Sequence, residues 1–470
     1  MRVLLALPPE VHDLEIYRVA GMTAPPLGLA YIAAVLERAG HKVAIVDSPT
    51  LRMTRDRFLQ IVREFKPDIV GISLQTPLAP KGYAIAKELR REFPDLVLIA
   101  GGPHATYMVD EALDNGFDVV VRFEGEYTTL ELVETIEKFG LSEEALKKVK
   151  GIAFRDREGR TIETPRREFI QNLDELPFPA RHLLPMDRYR VLGKNIRAAH
   201  VMASRGCPYG CIFCSTSYFW GRRIRIRSAK NVADEVEQLV ERYGAKYVIF
   251  TDDELTGYRR FVYDLVKEFR ERKLDVVFTC GARVDHMDRE FMKFLIDSGC
   301  VGLYFGVESG TQRTLDMIGK RITLEQARKV FQWAKELNAF AVASFVIGFP
   351  WETVEDVRKT IEFSIELDPA YAQFTVATPY PGTPLFHYAL QHNLIEDWNW
   401  EHYTTVRPVM RGFYLDLRTI ARLLQEAYTR FYARWSFMVR ELKAGRLLQL
   451  IPRILRAVAS RVLDVIRSRV

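Results

Sequence analysis

Two tracts of this chain repeat one pattern: a short continuous run of Val, Ile and Leu, an amphipathic helical stretch, then another apolar run. In the first tract the runs are Arg2 to Leu7, Lys42 to Asp47, Asp68 to Leu74, Leu96 to Gly102 and Asp118 to Phe123, with helices read at 25–40, 56–65, 81–92, from Tyr107, and 127–138. Runs without polar alternation are buried on both faces, and their alternation with helices marks a parallel sheet covered on both sides. The first tract is therefore expected to be a doubly wound, Rossmann-like α/β domain. From His200 the runs are HVMAS, Tyr247 to Glu254, Val276 to Arg283, Gly302 to Ser309, Ala341 to Pro350 and Ala372 to Pro381, each followed by a helix or a closing segment. That second set predicts an open (β/α)6 partial barrel, shorter than the eight-unit form. Both architectures bind ligands beyond the carboxyl ends of their strands.

At 470 residues the chain exceeds one ordinary core. The pattern divides it into an α/β domain at 1–150, a connector at 151–195, a barrel at 196–390 and a helical region at 391–470. The connector contains a β-hairpin turning at Glu158-Gly159 and a proline-rich stretch, LPFPARHLLP. In the last region an aromatic stretch with Trp398, Trp400 and Tyr403 is either a wall for substrate or packing, and a long helix starts at Asp416 or Thr419 and runs to Leu442.

The net charge is +6, and the segment from Arg440 to Val470, with eight Lys or Arg against two acids, accounts for all of it. A nucleic-acid-binding protein spreads its basic residues over a folded face, so no nucleic-acid partner is expected. In the tail Leu447, Ile451, Ile454, Val458, Val462 and Val465 form an apolar stripe, with Arg446, Arg453, Arg456 and Arg467 largely opposite. It reads either as peripheral membrane contact through 445–470 or as a terminal helix docked on the protein, and Pro452 interrupts it. Five cysteines, odd in number and unevenly placed, are not a disulfide framework. With no secretory leader and no apolar run of about 18 residues, the expected location is the cytoplasm or the inner face of its membrane.

The chemistry concentrates at predicted strand ends. CPYGCIFC places Cys207, Cys211 and Cys214 just after the first barrel run. Three thiolates that close together can hold three irons of a [4Fe-4S] cube and leave the fourth open to a ligand. Zinc is the alternative, but no second pair of Cys or His follows at zinc-site spacing. Other strand ends carry Asp252-Asp253-Glu254, Arg283 and Glu308, and acids and bases converging on barrel-strand ends are commonly functional. Cys280 either meets substrate or is a small buried hydrophobe, and Cys300 reads as core. In the first domain the strand ends carry Ser73, Gln75 and Thr76, then Gly101, Gly102 and His104, then Glu124, Gly125 and Glu126. These small residues allow close backbone approach by a bulky ligand and equally suit plain turns.

The cysteine spacing resembles the C-x3-C-x2-C signature of radical S-adenosylmethionine (radical SAM) enzymes. PPLGLAYIAAVL, the GIS after the third strand, GGPH and FEGEY resemble the cobalamin (B12)-binding domain found in one branch of that family, over nearly the whole of 1–150. The resemblance implies Cys207, Cys211 and Cys214 as ligands of a [4Fe-4S] cluster. It implies Asp252, Asp253 and Glu254 in the place of the family's G-G-E motif at the SAM amino group, although the letters differ. Arg283 would meet the SAM carboxylate, Glu308 the ribose hydroxyls, and Phe213 the adenine unless it is only a core aromatic. The nine strand-end residues of the first domain would contact cobalamin. The D-x-H-x-x-G loop that supplies a histidine below cobalt is missing from PPEVHDLEIYRVAG, so base-off cobalamin without a histidine ligand is expected, with His12 an ordinary loop residue.

The implied reaction is reductive cleavage of SAM to a 5′-deoxyadenosyl radical that attacks an unactivated carbon, fed by an external donor such as ferredoxin or flavodoxin. Methyl transfer to an apolar, membrane-lipid-like small molecule is the leading expectation. C-C bond or ring formation on a lipid or porphyrin is the second, and a non-catalytic iron-sulfur or cobalamin sensor the third.

Overall fold

The structure, a computed structural model, describes residues 1–12, 14, 23–189, 197–252 and 254–443. In the first domain the strands are β1 (Arg2–Ala6), β2 (Lys42–Val46), β3 (Ile69–Ser73), β4 (Val97–Gly101) and β5 (Val119–Val121). They pair in parallel in the spatial order β2-β1-β3-β4-β5. Chain direction across the sheet reverses between β1 and β3, and such a switch point opens a crevice at the strand ends. Leu29, Ala33, Leu36, Leu132, Val133 and Ile136 bring helices Leu27–Arg38 and Glu126–Phe139 onto one face. Helices Arg55–Phe65, Ala79–Glu92 and Val109–Asp114 cover the other. The helix read from Tyr107 begins earlier, as Gly102–Tyr107 directly on the end of β4.

The hairpin of the connector forms as β6 (Ile152–Arg155) and β7 (Thr161–Glu163), but it is not a free link. β6 pairs antiparallel with β5, so the hairpin completes a seven-stranded first sheet. Ile152 and Phe154 enter the core under one pair of helices while Ala153 enters the other. The rest of the connector is stitched to both domains. The Tyr189 hydroxyl donates to Asp47 at 2.8 Å, and Arg181 pairs with the fully buried Glu235 at 2.5 Å while donating to the His200 carbonyl.

The second domain contains β8 (Ala198–Val201), β9 (Ser204–Arg205), β10 (Arg225–Ile226), β11 (Tyr247–Phe250), β12 (Val277–Ala282), β13 (Cys300–Glu308), β14 (Ala341–Ile347) and β15 (Tyr371–Val376). β8 and β11 to β15 form the expected six-stranded parallel sheet, laid side by side in chain order. Side-chain caps start its helices: Ser228, Asp288, Thr323 and Thr353 each accept a backbone N–H two or three residues into the helix they precede. β9 and β10 form a small antiparallel ribbon that brackets the cysteine loop.

The long C-terminal helix divides into Leu417–Tyr432, capped by Asp416, and Trp435–Lys443. Arg434 sits at the break and reaches the Ile365 carbonyl and the Asp368 carboxylate, at the end of the neighbouring helix Val354–Leu367. The predicted basic tail at 445–470 and Asp253 lie outside the described residues. Among the described residues no helix is long and apolar enough to cross a membrane.

Candidate active site

The cysteine loop leaves β9 and returns through β10, so the backbone on both sides is held by the same ribbon. Cys211 is buried, and Cys207 and Cys214 are half-buried. The Cys211 thiol lies 3.8 Å from the Gly319 carbonyl, and the loop is pinned by Ile212 N–H to Ile318 O and by Leu385 N–H to Ile212 O. Burial pushes the Cys211 thiol up, and the nearby Lys320 ammonium opposes that. Among the described residues no three His, Cys, Asp or Glu side chains converge where one metal ion would sit. A cube asks for something else, one thiolate at each of three corners, and three thiols on one held loop are that donor set.

The predicted strand-end residues gather around this loop, but several turn inward. The Asp252 carboxylate accepts the Ala203 N–H at 3.1 Å and the Ser204 hydroxyl at 2.5 Å, fastening the end of β11 to the start of the loop. Glu254 accepts the Thr256 hydroxyl and the Gly257 N–H and lies 3.1 Å from His286, whose other ring nitrogen is 2.5 Å from the Tyr209 hydroxyl. The Glu254 carboxylate raises the His286 pKa. Arg283 binds Asp285 through two nitrogens, donates to the Lys320 carbonyl at 2.8 Å and lays its face on the Tyr209 ring at 3.5 Å. Tyr209 of the loop is thus held by two side chains of the segment after β12, and Glu254 after β11 backs one of them, His286.

Glu308 is 6% exposed, takes a left-handed backbone (φ 69°), and accepts from the Lys320 ammonium at 2.6 Å. A side chain at Gly306 would collide with both partners of that pair, so the pair requires glycine there. Phe213 packs edge-on to Phe349, centroid to centroid 5.7 Å. The turn carrying Phe349 is held by the fully buried Glu352, which accepts the Gly348 and Phe349 N–H groups at 2.8 and 3.0 Å and whose pKa burial raises to about 7.

Lys320, His286, Tyr209 and Glu352 were not legible as site residues. Lys320 and His286 lie outside the strand runs, and only tertiary packing brings them to the cysteines. Cys280, 1% exposed, lies in the barrel core together with Cys300.

A cavity of about 560 Å³ opens at the switch point of the first sheet. Ser73, Gln75, Gly101, Gly102, Gly125 and Glu126 line it, as does Phe123. Its inner part runs between helices Leu27–Arg38 and Glu126–Phe139 over Val3, Leu5, Ile69 and Ile99. The opposite wall comes from the barrel domain: Ser215, Thr216, Phe219 and Trp220, beginning one residue after Cys214.

Thr76, His104, Glu124 and His12 are not among the lining residues. His104 is buried against Trp400 and the Thr76 hydroxyl, and burial lowers its pKa to about 3. Glu124 and Glu126 both pair with Arg205, at 2.9 and 2.5 Å, and Glu124 also with Arg225 at 2.6 Å, all four side chains being buried. These pairs hold the two domains together at the cavity edge. Trp400 donates to Glu111 at 2.8 Å, and Tyr403 is fully buried, so both pack as structure near the first domain, while Trp398 is exposed.

Residues 201–364 match the model of the radical SAM superfamily, and residues 16–133 that of the B12 binding domain. An uncharacterized methyltransferase of Pyrococcus horikoshii is 39% identical over 94% of this chain and 95% of its own length. The anaerobic magnesium-protoporphyrin IX monomethyl ester cyclase of Rubrivivax gelatinosus is 31% identical over 88% of this chain and 75% of its own. Among solved structures, a radical S-adenosylmethionine methyltransferase from Kitasatospora setae, with cobalamin and a [4Fe-4S] cluster bound, shares the fold with a TM-score of 0.68. It is 20% identical, over 83% of this chain and 75% of that one.

Proposed function

Because the chain belongs to the radical SAM enzymes that carry a B12-binding domain, we propose that it transfers a methyl group to an unactivated carbon of an apolar small molecule. The observation that carries this is the shared wall: the segment Ser215 to Trp220, which follows Cys214, closes the cavity whose other side is the first domain's strand ends. One short stretch of chain therefore touches both places where the cofactors would sit.

The thiols of Cys207, Cys211 and Cys214 would hold a [4Fe-4S] cluster, and the cavity would hold cobalamin. When bound, the cluster supplies the electron that splits SAM into methionine and a 5′-deoxyadenosyl radical, and cobalamin supplies the methyl group. Glu308 would accept the two ribose hydroxyls of SAM, and Phe213, backed by the buried Phe349, would pack against its adenine. Arg283 gives three of its five N–H donors to Asp285 and Lys320 O, and the two on Nη1 would meet the SAM carboxylate. Lys320, with hydrogens beyond the one given to Glu308, would be a second partner for that carboxylate. The side chains of Asp252 and Glu254 are spent on the protein, so the SAM amino group would meet the backbone carbonyl of Asp252 or Glu254. The aromatic walls, Phe123, Phe219 and Trp220, would help to exclude water once the cofactors are bound.

Base-off binding without a histidine ligand is supported by the inner part of the cavity. It is apolar, lined by Val3, Leu5, Ile69 and Ile99 without a histidine among the described residues, and would receive the nucleotide arm of cobalamin. An external one-electron donor, and membrane contact through 445–470, belong to the same proposal.

Ring or C-C bond formation is the second reading, supported by the similarity to a cyclase. Both are tested by comparing lipid and pigment extracts of cells with and without the protein, fed SAM labelled in its methyl group. A compound heavier by one labelled methylene is expected. A product that has only lost two hydrogens gives the cyclase reading, and unchanged extracts would remove both.

A further inference from the structure

Phe123 is the one aromatic residue of the described chain that combines a left-handed backbone (φ 62°) with a place in the cavity wall. A bulky side chain reaches that conformation only when its surroundings fix it, and such strain collects at functional sites. Here the Phe123 N–H donates to the Thr106 hydroxyl, which itself donates to the Gly102 carbonyl, so the strained residue is tied to the end of β4.

The Phe123 ring is the centre of a small cluster. Tyr107 and Phe169 meet it edge-on at 6.0 and 6.4 Å, and Phe219 is tilted against it at 6.1 Å. The guanidinium of Arg166 lies 3.6 Å from the Phe123 centroid and 4.4 Å from that of Phe169. Arg166 is solvent-exposed and has no carboxylate partner among the described residues, unlike Arg122 beside it, which pairs with Glu163. Aromatic rings hold a guanidinium by cation–π attraction without drawing on its N–H donors, which stay available to bind a carboxylate or phosphate through two parallel hydrogen bonds. The Tyr107 hydroxyl is buried and has no hydrogen-bond partner among the described residues, a cost that an incoming acceptor would relieve. Its ring lies against Gly382 of the loop after β15, where any side chain would collide with it. The cluster therefore stands at the seam of the two domains, on the rim of the cavity rather than in its depth.

We propose that Arg166 and Tyr107, arranged around Phe123, form a recognition subsite for an anionic carboxylate or phosphate group of the substrate. The substrate would then be amphipathic: an apolar body against Phe123 and Phe219, with its anionic end outward on Arg166. This rests on the cavity being the cobalamin site, and cobalamin carries a phosphate of its own, so the test separates the two sources.

Reconstituted, cobalamin-loaded full-length protein is titrated calorimetrically with octyl phosphate and with octanol. Wild type is expected to prefer octyl phosphate by roughly tenfold or more, Arg166→Gln to lose that preference, and Tyr107→Phe to reduce it about threefold. The cobalamin-free proteins are titrated in parallel with hydroxocobalamin and with cobinamide, which lacks the phosphate arm, and Arg166→Gln is expected to bind both like wild type. Equal binding of octyl phosphate and octanol by wild type would overturn the subsite. Selective loss of hydroxocobalamin binding in Arg166→Gln, with cobinamide unaffected, would assign the guanidinium to the cofactor instead. Failure of wild type to take up either corrinoid would remove the cavity's assignment, and this proposal with it.

Discussion

Lys320 holds its ammonium 2.6 Å from the Glu308 carboxylate in a space nearly closed to water, with Cys211 close enough for each to perturb the other's titration. A buried ion pair adds little net stability, but removing one partner leaves the other charged and unsolvated, at about 3–5 kcal/mol. Lys320→Met is therefore expected to lower stability by about that amount, and the double change Lys320→Met with Glu308→Gln to recover most of it. Neither variant is expected to bind SAM normally: equilibrium dialysis on reconstituted protein should show a loss of roughly tenfold or more. A double variant with wild-type SAM affinity would show that the pair is structural only. At this scale the sequence displayed part of the site. Glu308 and Arg283 stood at strand ends, where a barrel gathers its chemistry, whereas Lys320 sat in an unremarkable turn, MIGKRIT. Its role comes from a fold-back over β13 that Gly306 permits, and no local pattern encodes that. Likewise, acids at strand ends do not reveal whether their oxygens face the ligand or, like those of Asp252, the protein.

At the scale of elements, β9 and β10 join the cysteine loop to the first domain through Arg205 and Arg225. Arg205→Met would strand the buried Glu126 and leave Glu124 to Arg225 alone. It is expected to destabilise the protein by about 3–5 kcal/mol and to split a single thermal transition into two, as read by calorimetry. A single transition at the wild-type temperature would show that the domains do not depend on this contact. The parallel strands were legible because continuous apolar runs between helices have few other solutions. The hairpin β6-β7 was legible as a hairpin but not as the edge of the first sheet, since two strands and a turn look the same free or docked. The break between helices Leu417–Tyr432 and Trp435–Lys443 carried no glycine or proline. It arises where Arg434 turns to Asp368, a tertiary contact.

Across the whole molecule, the contacts by which the domains close on each other include the Arg205 and Arg225 pairs, the Tyr107-Gly382 contact, and the Trp400 bond to Glu111. Between them lies a cavity that neither domain forms alone, with the cysteine loop one residue from its wall. Fold class and cysteine triad were readable from the chain, while the sharing of that wall depends on packing between segments far apart in sequence. We propose that this loop, once loaded with iron and sulfide, cleaves SAM reductively. The most direct measurement is 5′-deoxyadenosine formed by the anaerobically reconstituted, chemically reduced protein supplied with SAM. That product is expected, and so is its disappearance when Cys207, Cys211 and Cys214 are replaced by Ala. Full cluster loading by iron and sulfide analysis, with no 5′-deoxyadenosine in the wild-type reaction, would contradict it.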